Sequence, residues 1–253
     1  MSSEDGPREW RRDIVVTGQV LLLATLVMVF GAVVQGVLGF GGALVSVPLL
    51  LLMDPHLVPG PTTVAGTVLT ALIVWREPPV PARLGLRWAV GGLPIGTVAA
   101  AWAVTVWSST ALAGAVAVLV LGAVATTVAG FRLEPTSRTQ WAAGFLSGFM
   151  STTASIGGPP IALLHQHLPG PALRATLSRF FLASSVLALL ALSVTGHLPR
   201  SDVHAGLLLA PASVVGFGMS GPLRRYLDGP ATRWAVLIIS TLSATAVLIR
   251  LVA

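Results

Sequence analysis

A glycine-rich break occurs twice in this chain, each time inside apolar sequence. The first runs Gln35-Gly36-Val37-Leu38-Gly39-Phe40-Gly41-Gly42-Ala43-Leu44-Val45-Ser46-Val47-Pro48. The second runs Ser147-Gly148-Phe149-Met150-Ser151-Thr152-Thr153-Ala154-Ser155-Ile156-Gly157-Gly158-Pro159-Pro160, and Gly148 stands as far from Pro160 as Gly36 from Pro48. Glycine, serine, threonine and proline at this density interrupt a helix. In a bilayer an interrupted helix leaves backbone groups unpaired, which is tolerated only where they are buried in protein or line a cavity.

The bilayer itself follows from composition. Hydrophobic residues make up 54% of the 253 residues and charged residues 9%, with a mean hydropathy of +0.86. Soluble domains carry roughly 25% charged residues, so this chain reads as an all-α, multi-pass membrane protein. Apolar runs at Ile14–Val34, Leu84–Trp107, Ala111–Phe131, Leu177–Gly196, Val203–Pro222 and Trp234–Ala253 approach or exceed the roughly 18–20 residues that span hydrocarbon. The first run follows a mixed-charge head over 1–13 and lacks a small-residue cleavage site, so it reads as a retained helix.

The net charge of +6 comes from arginine, since the chain has no lysine. These arginines are scattered through short loops, which argues against nucleic-acid binding. There is no cysteine, and the five histidines show no ligand spacing, so no metal or other cofactor is expected. No Ser–His–Asp arrangement or intramembrane acid pair suggests an enzyme.

Sliding the chain along itself until Gly148 meets Gly36 also aligns Val58-Pro59-Gly60-Pro61 with Leu168-Pro169-Gly170-Pro171. A looser third anchor pairs Gly92-Leu93-Pro94-Ile95-Gly96 with Ala210-Pro211 and Gly216. The chain therefore reads as two repeats, 14–131 and 139–253, joined by a linker at 132–138. Each repeat is a broken segment followed by three helices, giving about eight spanning helices or ten helical segments with re-entrant hairpins. In the second break the arms are expected at Trp141–Met150 and Pro159–Leu168. Arginine-rich loops at Arg76–Arg87 and Pro222–Arg233 are matched by poorer counterparts at His197–His204 and Trp107–Thr110. The bias changes sides between equivalent loops, which is what inverted repeats require.

A helix that starts within the membrane presents unpaired N–H groups at the positive end of its dipole. Two such starts meeting at the midplane would make an oxyanion site from backbone dipoles. Gly39, Gly41, Gly42, Gly157 and Gly158 are the expected backbone donors, and Ser46, Ser151, Thr152, Thr153 and Ser155 the expected hydroxyls. Gly36, Pro48, Gly148, Pro159 and Pro160 are the expected break residues. Close helix packing is the competing explanation for the glycines, but two matched, proline-followed breaks favour a site. All acidic residues fall in the head, in loops or at helix ends, so the site suits an anion rather than a cation. Arg179, about two turns into a helix, either pairs with that anion or snorkels to the interface; Arg174 reads as interfacial. His165 and Gln166 read as vestibule or interface, and the tryptophans as an aromatic belt.

These breaks, together with Leu177-Ser178-Arg179-Phe180-Phe181-Leu182, resemble the sulfite exporter TauE/SafE family, also called the TSUP permeases, over nearly the whole chain. That family often has a third consecutive glycine where this chain has Ala43 and Pro159. The resemblance implies a multi-pass transporter of the bacterial inner (plasma) membrane for sulfite, sulfonates or related sulfur oxyanions. The expected partners are this small anion and membrane lipid. An anion channel, or an uptake permease for another organic anion, is the alternative. Proton or ion coupling, direction and homo-oligomerisation are left open.

Overall fold

The computed structural model describes residues 18–78, 86–129, 134–166, 168–227 and 230–252. The head (1–13), Ile14, Leu84, Phe131 and Ala253 of the expectations above, with 132–133 of the linker, 167 of the second arm and 79–85 and 228–229 of the arginine-rich loops, lie outside them. Among the described residues ten α-helices follow in order: α1 (Gly18–Leu38), α2 (Gly42–Met53), α3 (Gly60–Arg76), α4 (Arg87–Val106), α5 (Ser109–Val128), α6 (Ser137–Ala154), α7 (Gly158–His165), α8 (Gly170–Val194), α9 (Arg200–Leu227) and α10 (Pro230–Val252). A 3-10 turn at Pro55–Leu57 links α2 to α3. No strand occurs among the described residues.

Among the described residues, five helices are long and apolar enough to cross a membrane: α1, α4, α8, α9 and α10. Large apolar side chains such as Leu22, Val98, Leu208 and Ile249 are exposed on them, which in water would be an aggregation hazard and in lipid is a solvated face. Trp75, Trp88, Trp102, Trp107, Trp141 and Trp234 are all exposed as well. The protein is an all-α multi-pass membrane protein.

Local chemistry sets the helix ends. Pro61 and Pro171 lie in the first turns of α3 and α8, where a missing N–H costs nothing. Thr136 and Thr139 form a reciprocal capping box at the start of α6. α1 stops where Gly39 turns to φ +87° and donates its N–H to the Gln35 carbonyl at 2.8 Å. α6 stops at Ser155, which holds φ +58° although it has a Cβ.

The breaks therefore lie at Gly39–Gly41 and Ser155–Gly157, later than the motifs suggest. Gly36 and Gly148 are not break residues. Both are interior to helices and serve close packing: a Cβ on Gly36 would strike the Ser220 side chain, and one on Gly148 the Leu93 carbonyl. The arm expected to end at Met150 continues to Ala154 because Thr152 and Thr153 fold their hydroxyls onto the Gly148 and Phe149 carbonyls. Pro48 lies inside α2 rather than at its start.

Helix pairing crosses between the halves. α4 packs along α6, and α9 along α1, so the fourth helix of each half lies on the first helix of the other. Gly92 and Gly96 meet the α6 backbone at Trp141 and Phe145, while Gly144 and Gly148 meet α4 at Ala89 and Leu93. These small-xxx-small pairs let the two backbones touch, which is how helices gain van der Waals contact in lipid. The remaining principal contacts join α3 to α8 and α9, and α5 to α10.

Candidate functional site

Between α1, α2, α3, the end of α6, α7 and α8 lies a cavity of about 80 Å³. At roughly 10–15 Å³ per water on this measure, it has room for several waters or one small oxyanion. Both breaks line it: Gly41 and Gly42 from the first, Ser155, Gly157, Gly158 and Pro159 from the second. Among the described residues no charged side chain lines it; its polar groups are Gln35, Ser46, Thr62, Thr63, Thr70, Ser151, Ser155, Ser184 and Ser185.

The electrostatics come from dipoles. α2 starts against the cavity with Gly42, Ala43 and Leu44, whose N–H groups precede any carbonyl of their own helix. α7 also starts there, but Pro159 and Pro160 have no N–H, which leaves Gly158 as its first-turn donor at the cavity. Hydroxyls supplement that weaker start. Ser184 is buried, its Oγ has no hydrogen-bond partner, and it lies where a Cβ on Gly157 would come within 3.2 Å. A buried hydroxyl without a partner costs about 1–3 kcal/mol, so an acceptor in the cavity would recover that energy.

Of the residues singled out in the sequence, Gly41, Gly42, Ser46, Ser151, Ser155, Gly157, Gly158 and Pro159 meet at this cavity. Gly42 also packs tightly, since its Cβ would run into the Gly31 carbonyl and Gln35. The others lie elsewhere. Gly39 packs on Arg174, and Pro160 sits in the first turn of α7 without lining the cavity. Thr152 is fully buried within α6, and Thr153 faces a second cavity. Arg179 donates to the Ala175 and Glu77 carbonyls and does not line the cavity. Glutamine at position 179 is therefore expected to leave equilibrium affinity for sulfite within about twofold of wild type; a tenfold loss in a binding titration would put Arg179 on the anion.

Sequence reasoning missed the far wall. Thr62, Thr63, Gly66 and Thr70 of α3 recur at helical spacing, a small polar stripe that was readable. Ser184 and Ser185 of α8 carried no such signal.

The two ends of the cavity differ. At one end Ser155 donates to the Pro59 carbonyl at 2.9 Å, and its Oγ lies 2.6 Å from Thr63 Oγ1. Near that thin layer lies a wider cavity of about 610 Å³, lined by His56, Pro59, Thr153, His197 and Asp202 among others. Towards the opposite end, Ala32, Leu69, Ile73 and Phe217 form an apolar layer. Past it, Glu77 is buried against Arg174 and Arg224, with Arg76 Nε 3.7 Å from its Oε1. The sequence placed Glu77 at a helix end and Arg174 at the interface. Both prove buried, because the ends of α1, α3 and α9 and the start of α8 converge there. His165 is also buried, its Nδ1 3.1 Å from the Ile161 carbonyl.

Compared with known protein families, residues 23–247 match the family described as Sulfite exporter TauE/SafE. No curated protein and no solved structure matches the chain. The matched stretch includes both breaks, the cavity and the Glu77 cluster, and the chain belongs to the sulfite exporter TauE/SafE family of membrane transporters.

Proposed function

We propose that this protein is a secondary transporter that moves a small sulfur oxyanion, such as sulfite or a sulfonate, by alternating access. The observation that carries the reading is the meeting of both helix breaks at one small cavity lined with hydroxyls and, among the described residues, no charged side chain. Two helix starts aimed at one space favour negative charge without needing a fixed cation. The exchanged pairing of first and fourth helices supports two inverted repeats rocking about that site.

Arg76, Arg87, Arg138, Arg174, Arg224 and Arg225 gather at one end of the bundle, and Arg200 and Arg250 lie at the other. By the positive-inside rule the Glu77 end faces the cytoplasm of a bacterial inner membrane, and the wide cavity faces out. The thick cytoplasmic closure and thin outer layer then describe an outward-facing carrier, and a sealed end argues against an open channel.

The reading is tested with purified protein in liposomes. Labelled sulfite should exchange against internal unlabelled sulfite, and Ser184→Ala should raise the apparent KM roughly tenfold, as expected for one hydrogen bond to a charged group worth about 1.5–3 kcal/mol. Unitary currents without exchange would make the protein a channel. Unchanged KM in Ser184→Ala would remove α8 from the site.

A further inference from the structure

The two breaks are built alike except at one residue. α1 ends at Gly39 and α6 at Ser155, both with positive φ. Each of these residues rests on the start of the third helix in the other half. A Cβ on Gly39 would come within 2.7 Å of the Arg174 side chain in the first turns of α8. Ser155 lies against Pro59 and Thr63 at the start of α3. Glycine adopts this backbone freely, whereas a residue with a Cβ holds it only when its surroundings compel it. What compels Ser155 is its hydroxyl, which donates to the Pro59 carbonyl at 2.9 Å and meets Thr63 Oγ1 at 2.6 Å.

That link is oversupplied with donors. The Pro59 carbonyl also accepts the Thr63 hydroxyl at 2.7 Å and the Thr63 N–H at 2.9 Å, so three donors share two lone pairs. If the Ser155 O–H turned away, Pro59 would keep one donor for each lone pair, and no buried acceptor would be orphaned. Only the tie between α6 and α3 would be lost. Thr63 and Ser155 line the central cavity and Pro59 lines the wide one, so the tie runs through the wall between them. An oxyanion in the central cavity competes well for the Ser155 O–H, because a hydrogen bond to a charged acceptor is about twice as strong as one to a neutral carbonyl.

Resting on the transporter reading above, we propose that Ser155 is an occupancy-sensing latch on the outer wall. With the cavity empty, its hydroxyl ties the second break to α3 and keeps the wall shut. A bound oxyanion takes the hydrogen bond, the tie is lost, and the wall opens outwards. Once the anion has left, the latch re-forms and the empty carrier is free to return. Gly39 offers no hydroxyl at the equivalent place in the first break, so opening at the other end is not tied to occupancy in this way. Loaded carriers therefore open outwards and empty ones turn inwards, which gives net export rather than strict exchange.

The test compares two fluxes in the same liposomes, with potassium and valinomycin clamping the membrane potential. One is exchange of internal labelled sulfite against external unlabelled sulfite. The other is net efflux into sulfite-free medium, which requires the empty carrier to return. Wild type should show both. Ser155→Gly suits the left-handed backbone and deletes the hydroxyl. Its ratio of net efflux to exchange should fall about tenfold, as expected for the loss of one or two ordinary hydrogen bonds. Thr63→Val leaves the serine in place and removes its partner, and should lower the ratio in the same direction. A merely structural or binding role would lower both fluxes together and leave the ratio unchanged, which would overturn the proposal. So would a wild type that exchanges without net efflux, or failure of both variants to fold or to exchange at all. A wild type with neither flux would instead sink the transporter reading itself, and the latch with it.

Discussion

Leucine at position 158 should reduce sulfite exchange at least about a hundredfold, a loss of roughly 2.7 kcal/mol or more in transition-state terms, while the protein still inserts and unfolds cooperatively. The reason is local. A Cβ at Gly158 would sit 3.4 Å from the Phe181 ring and 3.9 Å from the Phe40 Cβ, which is ordinary contact. Alanine therefore fits, and exchange by Gly158→Ala should stay within a few-fold of wild type. Leucine adds three further carbons where the cavity is bounded by Phe181, Gly157 and Ser184. They would fill the space and screen the α7 start from any anion. Exchange is measured with labelled sulfite in liposomes, insertion by gel filtration and thermal unfolding. Wild-type flux in Gly158→Leu would mean that the anion crosses elsewhere, and would remove the cavity from the transport path.

The breaks were legible because their signals are local. Glycine and proline act on their own backbone, and the duplication made chance unconvincing. Their position was less so. Thr152 and Thr153 read as helix breakers in a string of hydroxyl residues, yet each satisfies itself on the preceding turn and lets α6 continue. Gly36 and Gly148 look like the other motif glycines, and nothing local says that Ser220 and Leu93 press against them. Arg179 has the same limitation: its position two turns into α8 left the cavity and the interface equally open, and the turn at Glu77 offers its carbonyl closer by. The Glu77 cluster is the extreme case. Glu77 and Arg76 are neighbours in sequence and read as parts of a loop or helix end, whereas Arg174 and Arg224 arrive from helices whose docking depends on the whole bundle.

Neighbouring glycines in α4 should respond to alanine with opposite signs. At Gly91 a Cβ would meet nothing within 4 Å, so Gly91→Ala should raise stability by about 0.5–1 kcal/mol through helix propensity alone. At Gly92 the same atom would collide with the Trp141 carbonyl, and at Gly96 with that of Phe145. Backbone cannot rotate out of the way as a side chain can, so the two helices must separate along the seam. Overpacking of this kind costs about 1–3 kcal/mol, roughly 3–10 °C in thermal midpoint for a chain of this size. The second seam offers the matching contrast. Gly216→Ala would press on the Val29 carbonyl and the Ala32 Cβ, while Gly218→Ala meets nothing within 4 Å. Two seams built alike should therefore show the same pairing of one costly and one harmless glycine. Melting curves in detergent for the four single variants check this. If Gly92→Ala and Gly216→Ala melt with wild type, the first and fourth helices are not held by backbone contact, and the proposed rocking of one half against the other needs a different fulcrum.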